Sequence, residues 1–190
     1  MFYDFDADLA GECEGRGWRA YYDRDWPYMA ALMAQRFAAL YHLPPAAAKE
    51  AAANSIEAAR VFVPVDHDMD AVRTILARYY AIAKQHSGLG FDPATAAALE
   101  AEYWDVHRRL VGQHDKSEFV DVLVQLHSHI FGITPAQARE SAELRVAANN
   151  TVDAITQKIS ADPEADWLKL EDLLRRCYRA IRNYTSAQAP

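Results

Sequence analysis

The chain has 190 residues, 51% of them hydrophobic, and a formal net charge of −7; that length and apolar content fit one well-buried domain rather than a disordered chain. The acidic balance argues against a nucleic-acid partner, which requires clustered Lys and Arg to displace counterions from phosphates. No apolar run approaches the roughly 20 residues needed to cross a bilayer, and the start MFYDFDADLAGECEG lacks the basic and apolar blocks of a secretory leader, so a cytoplasmic protein with no membrane partner is expected.

In chain order, residues 1–17 carry three glycines and no apolar period, and read as an arm lying on the surface or on a partner. Helical punctuation is dense from Trp18 onward. Asp25 and Pro27 open a helix with Met29, Leu32, Met33, Phe37, Leu40 and Tyr41 on one stripe. Leu43-Pro44-Pro45 ends it and starts the alanine-rich AAAKEAAANSIEAARVF, because proline suits a first helical turn and no later one. Asp66 or Asp68 caps the next helix, which runs toward Gly88 and Gly90. Asp92-Pro93, Ser117, Thr134-Pro135 and Asp162-Pro163 open the remaining four. No β-branched alternation stands between these signals, so the expected fold class is all-α.

The same turn is written twice. With Pro45 placed on Pro135 (135 − 45 = 90), Leu40, Tyr41 and Leu43 meet Ile130, Phe131 and Ile133, and Glu50 meets Glu140. The flanks follow in the same order, AYYD at Ala20 with EYWD at Glu102, and Leu76, Arg78 and Tyr80 with Leu174, Arg176 and Tyr178. This pattern predicts a single helical domain over 18–190, a bundle of seven to eight helices built from two tandem four-helix repeats, 18–90 and 91–186. The repeats would pack about a pseudo-two-fold axis with a shared core.

Catalytic signatures are sparse. Cys13 and Cys177 stand alone at opposite ends, outside any zinc or redox spacing, which suits a reducing compartment. There is no G-x-S-x-G and no phosphate-cradling glycine loop. His127 and His129 lie about 200° apart around a helix at 100° per residue, and no Glu-x-x-His pair of a di-iron bundle occurs. Neither a metal nor another cofactor is therefore expected. His107, seven positions after Glu100, retains a mononuclear site only if a third ligand comes from elsewhere.

Two features point to binding. Where the first repeat has Ser55 and Ala59 on an inward stripe, the second has Arg145 and Asn149, and His127 stands where the first has Phe37. Buried polar groups need partners: Arg145 takes either an internal carboxylate such as Asp153 or Glu57, or an anionic ligand group shared with Asn149 and His127. Trp18, Tyr22 and Trp26, mirrored in part by Tyr103 and Trp104, are candidate partner-binding anchors, because aromatic side chains bury large areas at little entropic cost. The expected function is a non-catalytic accessory, adaptor or assembly-chaperone-like protein that binds another polypeptide and self-associates. The alternative is a helical enzyme or small-molecule binder with a polar pocket between the halves.

Overall fold

The computed structural model describes residues 2–186, and among these there is no strand. Eight helices follow in order: α1 (Ala7–Tyr22), α2 (Trp26–Tyr41), α3 (Pro45–Phe62), α4 (Met69–Ser87), α5 (Pro93–Leu110), α6 (Ser117–Phe131), α7 (Pro135–Thr156) and α8 (Pro163–Ser186). Most start where the sequence chemistry places them. The carboxylates of Asp25, Asp68, Asp92 and Asp162 accept from backbone N–H groups of the following turn, satisfying donors that a helix start leaves unpaired. Thr134 and Gln137 form a reciprocal capping box. Ser117 is the exception: it is the first helical residue, not the cap, and the Asp115 carboxylate receives its N–H at 2.9 Å.

Each helix packs on its neighbours in sequence and α8 closes on α1, so the eight form a ring; α2 also touches α4, and α6 touches α8. Advancing both members of any of these pairs by four helices gives another of them. The duplicated turn has one backbone geometry in both places. His42 (φ 56°, ψ 33°) and Gly132 (φ 64°, ψ 27°) both end their helices in the left-handed region, and Pro44 and Thr134 both precede the next helix in extended conformation. One apolar cluster draws buried side chains from all eight helices, among them Ala10, Phe37, Ile56, Tyr79, Ala97, Leu123, Val146 and Ile181. The two sequence halves thus share a core. A smaller cluster joins Val152 of α7 to Leu170 and Leu174 of α8.

The expectation of an arm over residues 1–17 is corrected by the structure. Residues 7–17 belong to α1, which packs between α2 and α8. Glycine weakens a helix by about 1 kcal/mol relative to alanine, which is why the segment reads as aperiodic. Here the glycines are contact surface. A Cβ at Gly11 would lie 2.4 Å from the backbone nitrogen of Arg175, and one at Gly15 3.1 Å from the Cα of Glu171. Spaced i, i+4 on one face, they let α1 approach α8 closer than any side chain would permit. The preceding residues are packed as well: Tyr3 and Phe5 are buried, the Tyr3 hydroxyl donates to the Leu40 carbonyl at 2.5 Å, and Phe5 stacks on Phe131.

Gly11→Ala reports on this close approach. Alanine is the better helix former, yet its methyl meets backbone that has no rotamer to yield, so the variant is expected to lose about 1–3 kcal/mol of stability in urea denaturation.

Candidate functional site

Two groups of polar and aromatic side chains sit at different depths along the ring. The deeper one is built on Glu14, which is buried on α1. Both Nη atoms of Arg145 donate to its carboxylate, one of them at 3.1 Å. Arg36 approaches at 3.3 Å, and the Tyr178 hydroxyl donates at 2.6 Å while accepting from Arg36 at 2.7 and 3.0 Å. Burial pushes the Glu14 pKa up, but the two guanidinium groups and these hydrogen bonds outweigh it and hold the carboxyl at about 2. Arg145 therefore pairs with Glu14, and with neither Asp153 nor Glu57. Its partner was invisible in a segment read as an arm.

His127 is buried near this network, and its Nδ1 lies 2.7 Å from the Ser141 hydroxyl. That hydroxyl donates its one proton to the Ala138 carbonyl at 2.8 Å, so it accepts from His127, which fixes the Nδ1–H tautomer. Burial, aided by the nearby Arg145 charge, lowers the imidazole pKa to about 3. The free space beside Arg36, His127 and Arg145 is about 20 Å³, enough for about one water molecule. Among the described residues, Arg145 and His127 share this small space, and Asn149 does not line it.

Asn149 lies in the second group. Its side chain donates back to the Arg145 carbonyl at 2.9 Å, and it lines an open cleft of about 380 Å³ at one end of the ring. The cleft is walled by the C-terminal turns of all four odd-numbered helices: Trp18, Tyr21 and Tyr22 on α1, Phe62 on α3, Tyr103, Trp104 and His107 on α5, and Asn149 and Asp153 on α7. Four of the five aromatic anchors named from sequence meet here. Trp26 does not: it stands edge-on to Tyr21, carries the Arg60 guanidinium at 4.9 Å over its ring, and lines a separate hollow between α2 and α3.

The cleft also holds His107, weighed above only as a metal ligand, Asp153, weighed only as a partner for Arg145, and Arg108. His107 Nε2 lies 2.9 Å from Asp153 Oδ1, and the other oxygen of Asp153 is buried with no hydrogen-bond partner among the described residues. Arg108 lies 3.8 Å over the Phe62 ring and donates to the Phe62 and Pro64 carbonyls at 2.7 and 3.1 Å, closing the open end of α3. The spacing of Tyr103, Trp104, His107 and Arg108, at i, i+1, i+4 and i+5, was the available signal that these side chains share one helix face.

Among the described residues no three His, Cys, Asp or Glu side chains gather into a metal-binding group, and no helix is long and apolar enough to cross a membrane. No family model, characterised protein or solved structure matches the chain.

The state of His127 sets a pH dependence. Its folded pKa of about 3 lies below the ordinary 6.5, so between these values the unfolded chain binds a proton that the folded chain refuses. Stability is then complete above pH 6.5 and falls by up to about 1.4 kcal/mol per pH unit on acidification. Glu14, depressed from 4.5 to about 2, adds its own loss only below about pH 4.5, while Glu100, whose carboxyl burial pushes up, acts in the opposite sense above pH 4.5, so the share of His127 between pH 6.5 and 5 is read against a variant that lacks it. Urea denaturation at those two values is expected to show the drop in the native chain and a much smaller one in His127→Phe, which installs the residue of the matching position Phe37.

Proposed function

We propose that the chain is a non-catalytic accessory protein that docks another polypeptide on the end of the ring where the odd-numbered helices finish, with the aromatic cleft as its anchoring socket. The supporting observation is where apolar surface is left uncovered. Among the described residues nine large apolar side chains are exposed. Seven of them, Tyr22, Tyr28, Val63, Val65, Val111, Ile159 and Leu168, lie in the last turn of an odd helix, the loop after it, or the first two turns of the next helix. Val65 is 91% exposed. Scattered exposed hydrophobics need no explanation, whereas a set gathered around an aromatic cleft has the make-up of a docking face. The rival small-molecule pocket deep between the halves loses support from the roughly 20 Å³ available beside Arg145.

Two further elements belong to this reading. The shift-by-four pairing of helices and the duplicated turn support two tandem four-helix repeats about a pseudo-two-fold axis, in which the docking end is assembled equally from both. Cys13 and Cys177 are free and buried, with thiol pKa values raised by burial to about 11 and about 12, which fits a cytoplasmic setting where thiols stay reduced. An assembly-chaperone-like role is one form this docking takes, and self-association through the same face is another.

Photo-crosslinking in the native cell discriminates these outcomes. A photoreactive residue placed at Tyr22 or Val65 is expected to capture a defined polypeptide, and one at Glu50 in the second turn of α3, away from the docking end, is not. Adducts between copies of the chain at Tyr22 and Val65 would assign the face to self-association. Equal capture from Glu50, or no adduct at either docking position, would contradict the proposal.

A further inference from the structure

Resting on the docking reading, we propose that the cleft receives a primary ammonium group, that of a lysine side chain on the docked polypeptide. The first observation is Asp153. Its side chain is 13% exposed, one oxygen is engaged by His107, and the second is buried without a donor among the described residues. A buried carboxylate oxygen without a donor carries the full cost of its lost hydration, and Asp153 is part of the cleft lining, so an occupant that brings a strong hydrogen-bond donor to it is favoured. An apolar occupant leaves that oxygen unpaired, and an anionic occupant meets the like charge of Asp153.

The second observation is the wall. Trp18, Tyr22, Tyr103 and Trp104 present ring systems to the same space, and aromatic faces attract cations through their quadrupoles. The neighbouring positive charges are already committed. Arg108 is turned onto the carbonyls at the end of α3. Arg145, at 5.8 Å from the Trp18 ring centre and 5.5 Å from that of Tyr103, is turned onto Glu14, the carboxylate that it shares with Arg36. The cleft also collects the C-terminal ends of α1, α5 and α7, where helix dipoles place partial negative charge. A volume of about 380 Å³ admits a four-carbon stem and its ammonium with room for the adjoining backbone. The ammonium, and not a quaternary nitrogen, matches the need of Asp153, because only the former carries N–H donors.

The test uses the full chain and three small probes of similar size: n-butylammonium, n-butyltrimethylammonium and n-pentanol. Binding is read from the indole N–H resonances of Trp18 and Trp104, assigned with Trp→Phe variants. n-Butylammonium is expected to shift both saturably and to bind at least tenfold more tightly than either of the other probes. In Asp153→Asn, with the helical spectrum unchanged, that preference is expected to fall at least tenfold. Equal binding of n-pentanol, tighter binding of the trimethylated probe, or no saturable shift in the native chain would overturn the proposal, and none of these depends on the variant folding. Loss of the ammonium preference with crosslinks at Tyr22 and Val65 retained would remove the lysine and leave the docking face. Loss of those crosslinks with the preference retained would remove the polypeptide instead.

Discussion

A single carboxylate, Glu14, determines how this ring is joined. It lies on the first helix and is held by Arg36 from α2, Arg145 from α7 and Tyr178 from α8. Two guanidinium groups and a phenol inside a protein are costly to desolvate, and they are tolerated because each is paired and hydrogen-bonded to its neighbours. Were the carboxylate removed, Arg36 and Arg145 would share a low-dielectric interior with no anion between them. The network joins the two ends of the chain and so closes the ring that the helix order requires. The glycine face of α1 serves the same closure, since Glu14 reaches this position only if α1 lies against α8 at the short distance that Gly11 and Gly15 permit.

Consecutive helices joined by short turns run back and forth, so the ring has two unlike ends. At one, Tyr3 and Phe5 fold under Leu40, Phe131 and Tyr178 and cover the apolar interior. At the other, the four odd helices finish around the aromatic cleft, which is open to solvent among the described residues. Arg145 connects the two levels: its guanidinium belongs to the buried network, its face lies under Trp18 and Tyr103, and its carbonyl holds the Asn149 side chain. The network thereby braces the cleft wall while its hydrogen-bonding groups point to Glu14.

Much of this was legible in the amino-acid order, for physical reasons that differ from residue to residue. Proline at positions 45 and 135 can occupy only a first helical turn, and the aspartates at 25, 68, 92 and 162 have short carboxylates suited to capping, so these boundaries were dictated locally. The inward polar substitutions Arg145 and Asn149 were visible because the first repeat supplied an apolar reference. What was illegible depends on contacts distant in sequence. Glycine at 11 and 15 carries a local helix penalty, and only the approach of α8 turns it into an advantage. Glu14 could not be named as the partner of Arg145 while its helix was unrecognised. Asp153 and His107, on different helices, become a pair only once the ring is closed.

The claim on which the rest stands is that Glu14 and Arg145 form one energetic unit linking the first and last parts of the chain. A double-mutant cycle measures it directly, with urea denaturation of the native chain, Glu14→Gln, Arg145→Met and the double variant. Each single change is expected to lose about 3–5 kcal/mol by stranding a buried charge. The double variant is expected to lose less than the sum, with a coupling of about 2–3 kcal/mol and one cooperative transition throughout. Additive losses within about 0.5 kcal/mol, or single variants as stable as the native chain, would contradict the account.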